Sequence, residues 1–422
     1  MVVIMINHLV SNNLNIFQGN DPFNLIKTHG SPLYVYNERV IRENCKKIKN
    51  FVTYPNFSVH YSAKANSNVA ILQIIKEEGL NVDAMSPGEI FAEMQAGFMP
   101  NEILFVSNNV PTEGMQYAIE RNILMSVDSI SQLEQYGKLA PNSRVVLRFN
   151  PGIGDGHSVK TITAGQHTKF GIQITNQNIQ TINDICSQHN LIVVGLHMHI
   201  GSLFFDITNF LESGYSLLSV ARNFPSIEFI DLGGGFGIPY KKQEGQKSID
   251  LIKVGQKLDE FMFTFSKKIG KNIQFKIEPG RFIVAESGII LGSVISTKQN
   301  YETKYIGCDI GFNSLLRPTM YNAHHDIEVF PKDMTKRPLE VVTVVGNICE
   351  NSDNLATNRM LPKMNEGDII CVLDAGAYGY SMASNYNNML RPAEVLIRRN
   401  NEVVLIRKRE TLEDLTMNVM KL

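Results

Sequence analysis

Residues 57–98 read FSVHYSAKANSNVAILQIIKEEGLNVDAMSPGEIFAEMQAGF. At the start, Phe57, Val59 and Tyr61 alternate with Ser58, His60 and Ser62, the two-residue period of a strand. From Val69 the period lengthens: Val69, Leu72, Ile74 and Ile75 fall at helical spacing, and Gly79 marks a C-terminal stop. A second β-rich run, LNVDAM, follows. The helix after it is announced by Ser86 as N-cap, Pro87 at the first position and Glu89 three residues beyond the cap.

The same alternation continues through ILFVS, LMSVD, VVLRF, VVGLHM, IEFIDL and IQFKIE, which brings the β-rich runs to eight. Eight strand–helix repeats predict a parallel (β/α)8 TIM-like barrel, here over residues 37–280. A doubly wound open sheet gives the same alternation and is the competing architecture; the count of eight favours the barrel. After Gly280 the pattern changes to short β-rich runs such as KYIGCDIG, LEVVTVVG and DIICVLDAG, joined by turns such as RNNE. The N-terminal segment through SPLYVY is also β-like. Residues 1–36 and 281–422 are therefore expected to form a second, all-β domain, a barrel or sandwich, with the first inserted into it.

With 422 residues, 40 basic against 41 acidic side chains and 43% hydrophobic content, the chain has enough material for two cores and no global field for nucleic acid or an anionic membrane. A small-molecule partner is expected. The five cysteines lack CxxC spacing, which argues against a disulfide framework or structural zinc and fits a reducing cytoplasm. The opening MVVIMINHLV is too short an apolar run, and too poor in basic residues, for a secretory signal, and no later run is long enough to span a bilayer.

In such a barrel the chemistry sits at the carboxyl ends of the strands. Those positions carry Lys64, Asp83, Arg148, His197, His199, Gly233, Gly234, Gly235 and Glu278, with Pro279, Gly280 and Arg281 after the last. Singly, Lys64 reads as a solvated surface charge, Asp83 as a helix cap, Arg148 as half of an ion pair and His199 as a core histidine. Their common placement points to a site. DLGGGFG follows the seventh strand, where these barrels hold phosphate, and predicts a cradle completed by Gly280, the Arg281 amide and the Ser202 hydroxyl. It is no dinucleotide fingerprint, because it lacks the acidic residue at the required distance. A phosphate cradle, a lysine, a carboxylate and a histidine at one mouth fit pyridoxal 5'-phosphate: Lys64 bonds the aldehyde, Glu278 holds the pyridine nitrogen protonated and His199 stacks on the ring. A zinc site built on His197 and His199 lacks further ligands, so no metal is expected. His324 and His325 read as loop residues.

YSAKAN, HMHIGS, DLGGGFGIPY, EPGRFIVAESG, GNICENSD and DAGAYGYSMASNYN together resemble the fold type III pyridoxal-phosphate decarboxylases, over nearly the whole chain from SPLYVY to RPAEVLI. FNPGIGDGHSVKTITAGQHTKFGI looks like the diaminopimelate branch of that family rather than the ornithine branch. The resemblance implies decarboxylation of meso-2,6-diaminopimelate to L-lysine and CO2, the last step of lysine biosynthesis. By position it makes Lys64 the cofactor-bonding lysine, His199 the stacking histidine, Gly234 and Gly235 phosphate ligands and Glu278 the pyridine-nitrogen partner. Arg281 would serve phosphate through its backbone and substrate through its side chain. It likewise implies that Arg317 and Tyr321 help bind the distal carboxylate, Glu350 binds the substrate ammonium, Cys349 donates a proton, and Tyr378 touches phosphate and substrate. In this family Cys349 and Glu350 would come from the partner subunit, so a homodimer is implied.

CENSD stands here where CESGD is usual in the family, a change bearing on the distal pocket. Rival readings are a decarboxylase of ornithine, a D-amino acid or a siderophore precursor, and a non-catalytic cofactor-binding homologue. Arg317 and Tyr321 disfavour simple diamines, and the presence of Lys64, Cys349 and Glu278 disfavours the second. A racemase is disfavoured by the CE and AGAYGYSMAS motifs. The segment His157–Lys169, glycine-flanked and following the fifth strand, is expected to be a mobile lid.

Overall fold

The computed structural model describes residues 10–156, 162–420 and 422. Contacts divide them into two compact units: Glu43–Ile238 with Ser248–Ile283, and the described residues up to Arg42 with Pro239–Lys247 and Val284–Leu422.

In the first unit the eight β-rich runs all become strands: Phe57–Ser62, Asn81–Ala84, Ile103–Phe105, Leu124–Val127, Arg144–Asn150, Ile192–His197, Phe229–Asp231 and Gln274–Ile277. Each pairs in parallel with the next. The last returns to the first through Phe275↔Phe57 and Ile277↔Val59. That pairing closes the barrel and excludes the open sheet, which would leave two edges. The helices begin where local chemistry says they should. The Ser86 hydroxyl accepts the Glu89 N–H at 3.2 Å, Pro87 takes the first position, and Asn68 caps Val69–Glu77. Glu89 reaches past the cap to accept the Met85 N–H at 2.7 Å, tying the strand end to the helix start. Asn150 organises the loop after the fifth strand. Its Oδ1 accepts from Gly152 and Gly165, and its amide donates to the carbonyls of Gly165 and Phe170. Of the expected lid, residues 157–161 lie outside the described residues.

The second unit is built on a nine-stranded mixed sheet. Its spine is Gly288–Asn300, whose first half pairs with Leu33–Asn37 and Ile369–Val372 and whose second half pairs with Thr303–Cys308. Leu33–Asn37 also pairs in parallel with Ala393–Ile397, so the N-terminal strand lies inside this sheet. Val35, Leu291, Cys371 and Val395 are buried together in its core. RNNE is the hairpin turn between Ala393–Ile397 and Val403–Arg407, with the Arg398 N–H donating to the Glu402 carbonyl. One reading is corrected: the described residues before Ser31, 10–30, form two helices, Val10–Asn13 and Pro22–His29, joined by turns rather than β structure. Asp21 accepts the N–H groups of Phe23 and Asn24, Pro22 starts the helix Pro22–His29 and Gly30, at φ 83°, ends it. The cap and proline signals prevail there over the apolar residues nearby.

Candidate functional site

Lys64 lies half-buried on a short 3-10 turn, Ala63–Ala65, straight after the first barrel strand. Asp83 is fully buried at the end of the second strand and accepts the Ser62 hydroxyl at 2.5 Å. Burial, and then the charge of Glu278, pushes its carboxyl well above the usual range, with Lys64 opposing. Arg148, buried at the fifth strand, stacks its guanidinium 4.9 Å from the Phe170 ring centre. The His199 ring accepts the Gly234 N–H on Nδ1 at 3.1 Å. Burial, with Lys64 and Arg148 nearby, holds this imidazole well below its ordinary value, so the ring is neutral with its proton on Nε2.

Glu278 is buried at the end of the eighth strand. Burial works to raise its carboxyl, but His197, 3.4 Å away, and Lys64 outweigh it and hold the group below the carboxylate range. Asp231 behaves oppositely: burial and then Glu278 push it well above, so it stays a neutral acid. One oxygen of Asp231 accepts the Gly233 N–H at 2.9 Å, and the Ser126 hydroxyl lies 3.1 Å from His197 Nδ1. His197, Asp231 and Glu278 bring one ligand atom each within 4.8 Å, a grouping able to hold a metal ion; His199, paired with His197 in the sequence, is not part of it.

The glycines form a cradle no side chain could enter. A Cβ on Gly234 would lie 1.9 Å from the Glu278 carbonyl oxygen, and one on Gly235, at φ 117°, would lie 2.4 Å from the Gly201 carbonyl oxygen. Gly280 packs against Ser62 and Ala65, beside the Lys64 turn. The Arg281 guanidinium donates to Ser202 Oγ at 3.2 Å. These residues fit pyridoxal phosphate on two observations: the closed glycine cradle, and Glu278 Oε1, a buried carboxylate oxygen with no hydrogen-bond partner among the described residues, which a pyridinium N–H would satisfy.

The barrel unit thus gathers Lys64, Asp83, Arg148, His199, Ser202, Gly234, Gly235, Glu278, Gly280 and Arg281. Arg317, Tyr321, Cys349, Glu350 and Tyr378 belong to the second unit. There Arg317 is 1% exposed, its guanidinium 4.3 Å from the Tyr240 ring centre and 2.5 Å from His325 Nε2. His325 donates from Nδ1 to the Leu373 carbonyl at 2.7 Å, leaving Nε2 to accept from Arg317. The two loop histidines are therefore engaged: His324 lies 2.8 Å from Asp326 and is contacted by Arg359. Tyr321 ends the short helix Arg317–Tyr321, and Tyr378 holds a left-handed backbone at φ 55°. Cys349 and Glu350 are exposed.

Sequence reasoning missed Ser62, Ser126 and Asp231, whose inward positions show only once the strands are paired. It also missed Glu93, fully buried on the helix Pro87–Gln95, whose carboxyl burial, Asp83 and Glu89 push up to about 10.

His60, on the first strand, is pushed down to about 3, chiefly by burial. A base depressed in the folded state stabilises fully above its unfolded value near 6.5 and loses that contribution as pH falls, because only the unfolded chain takes up the proton. The urea midpoint of the apoprotein should therefore drop between pH 7.5 and 5.5, with about 1.4 kcal/mol due to His60. His60→Gln should shrink the drop; an equal drop in both proteins would contradict this.

Comparison with known proteins agrees with this geometry. Residues 38–285 match the family model described as pyridoxal-dependent decarboxylase, pyridoxal binding domain. Diaminopimelate decarboxylase of Methanothermobacter thermautotrophicus is 38% identical over 406 residues, covering 94% of this chain and 93% of that protein. A crystal structure of a diaminopimelate decarboxylase superposes with TM-score 0.88 at 32% identity, covering 95% of this chain and 98% of the other. That of the Helicobacter pylori enzyme complexed with L-lysine gives 0.85 at 29% identity, over 94% of this chain and 98% of that one.

Proposed function

The chain belongs to the pyridoxal-dependent decarboxylase family, and from that premise we propose that it decarboxylates meso-2,6-diaminopimelate to L-lysine and CO2 as a carboxy-lyase using pyridoxal 5'-phosphate. The observation that carries the cofactor assignment is the buried Glu278 oxygen, unpartnered among the described residues, at the strand ends that also hold Lys64 and the glycine cradle. The curated relatives carry the substrate.

When bound, pyridoxal phosphate supplies an aldehyde that bonds amines and a protonated ring that accepts the electron pair released as CO2 leaves. Lys64 would hold the cofactor through its amine. Glu278, kept anionic, would hold the ring nitrogen, and neutral His199 would support the ring. Gly234, Gly235 and Gly280, the Arg281 amide and Ser202 would hold the phosphate, and by family resemblance Tyr378 would serve phosphate and substrate. Asp83 and Arg148 set the charge around Lys64 and Glu278. On the substrate side, the family resemblance gives Arg281, Arg317 and Tyr321 to the distal carboxylate, Glu350 to the ammonium and Cys349 to the protonation of the carbon that loses CO2. In this reading Cys349 and Glu350 act from a second copy of the chain, so the enzyme works as a homodimer. We assign cofactor binding to the barrel, read from the sequence as 37–280 and corresponding to the compact unit Glu43–Ile238 with Ser248–Ile283. We place the protein in the cytoplasm, in keeping with five scattered cysteines that lack CxxC spacing. No helix among the described residues is long and apolar enough to cross a membrane.

The test is to follow CO2 and products from the cofactor-loaded protein with meso-diaminopimelate, lysine, ornithine and D-amino acids. Lysine and CO2 from diaminopimelate alone are expected. Comparable CO2 from another amino acid would overturn the specificity, and none from any would overturn the activity. Arg317→Ala should raise KM for diaminopimelate by on the order of a hundredfold, because a carboxylate loses a charged, geometrically matched partner, while cofactor affinity stays within about twofold. An unchanged KM would remove Arg317 from the substrate site.

A further inference from the structure

Cys349 and Glu350 lie on a turn that faces a second loop, residues 384–391, within the same unit. The Asn387 amide donates to Cys349 Sγ at 3.0 Å, and the Tyr386 hydroxyl donates to Glu350 Oε1 at 2.7 Å. Neighbouring residues thus hold neighbouring residues, one contact each.

Both sides are anchored from behind. Buried Asp353 accepts the Ile348 N–H at 2.8 Å, fixing the turn, and the Phe312 N–H at 2.7 Å. Phe312 in turn stacks on Tyr386, with ring centres 5.6 Å apart. On the loop side, Glu410 accepts from the Asn385 amide at 2.6 Å and from Arg391 Nε at 2.6 Å, and the Ser384 N–H donates to the Asn313 carbonyl. Asn387 itself sits in the left-handed region at φ 57°, a conformation asparagine tolerates better than most residues and one that aims its amide at the sulfur.

We infer that Tyr386 and Asn387 are positioning residues for the reaction, Asn387 for the Cys349 thiol and Tyr386 for the Glu350 carboxylate. This rests on the roles given to Cys349 and Glu350 above. When Cys349 delivers its proton, the S–H bond breaks, a C–H bond forms on the substrate carbon that lost CO2, and the S–H electron pair stays on sulfur. An N–H aimed at that sulfur is a stronger partner for the thiolate than for the thiol, so it stabilises charge as the charge develops. Tyr386 acts on the ground state. Its hydrogen bond to Glu350 pushes its own hydroxyl up, so it remains a donor and fixes the carboxylate that receives the substrate ammonium.

The experiment compares Asn387→Gly, which keeps the left-handed backbone without the amide, Asn387→Asp, which keeps the shape but turns a donor toward sulfur into an acceptor, Tyr386→Phe and Cys349→Ala. Asn387→Gly should lower kcat about tenfold with KM unchanged, Asn387→Asp more, and Tyr386→Phe should raise KM with a smaller change in kcat. Iodoacetamide alkylation of Cys349, followed by peptide mass spectrometry, gives a readout independent of turnover, because the thiolate is the reacting species. The pH of half-maximal alkylation should rise in Asn387→Gly and further in Asn387→Asp. If Cys349→Ala loses activity while both Asn387 variants keep wild-type kcat and alkylation profile, this inference falls alone. If Cys349→Ala keeps full activity, the reading beneath it falls as well.

Discussion

Lys64→Ala should lower turnover of diaminopimelate by at least roughly a thousandfold, the loss expected when a covalent anchor is removed from a site whose other parts stay in place. Lys64 stands on the turn that joins the first barrel strand to its helix, half-buried, and its charge acts on Asp83, Glu278 and His199. It is the amine of the gathered set. Alanine keeps the backbone of the Ala63–Ala65 turn, so the barrel should fold with an unchanged denaturation midpoint. Phosphate binding should also survive, because the glycine cradle does not involve the lysine side chain. The variant should therefore take up cofactor weakly and reversibly, and added amines should restore little activity. Turnover within about tenfold of the wild type would remove Lys64 from its assigned role.

Glu278→Gln should reduce kcat on the order of a hundredfold or more while lowering cofactor affinity much less. Glutamine fills the same space and can still hydrogen-bond a ring nitrogen, but it cannot hold a proton there by charge. The surroundings make the difference large: the group is buried, where charge interactions are weakly screened, and Lys64 and His197 maintain it as an anion against the cost of burial. The same substitution removes the charge that helps keep Asp231 protonated, so the hydrogen bond from Gly233 to Asp231 should persist and the cradle should stay formed. A visible absorption band for bound cofactor that responds to pH differently in the variant would accompany the loss. Equal kcat in the two proteins would contradict the assignment.

The barrel was legible because its two periods are clean. Val59 and Tyr61 alternate with polar residues, the following helices start at Asn68 and Ser86 with their caps, and the eight runs become eight paired strands. The strand-end residues followed from the architecture, since a parallel barrel places all of them at one face. Other features leave no local trace. Glu93 sits in an amphipathic helix like any surface acid, and only packing turns it inward. Asp231 reads as the first letter of a glycine motif, and its bond to Gly233 exists only because Gly233 turns back at φ 72°. In the second unit, nothing in the spacing links Tyr386 to Glu350 or Asn387 to Cys349, pairs that stand 36 and 38 positions apart, because only the fold brings them together. Arg317, Tyr321, Cys349, Glu350 and Tyr378 were reachable only through family resemblance. His325, a loop residue by sequence, turned out to be a buried acceptor for Arg317.

Borohydride reduction of the cofactor-loaded protein, followed by digestion and mass spectrometry, tests the central claim most directly, because it freezes the bond between protein and cofactor at the lysine that carries it. The account predicts a single pyridoxyl-modified peptide containing Lys64, with the label lost in Lys64→Ala. Modification of a different lysine, with Lys64 unlabelled, would contradict it.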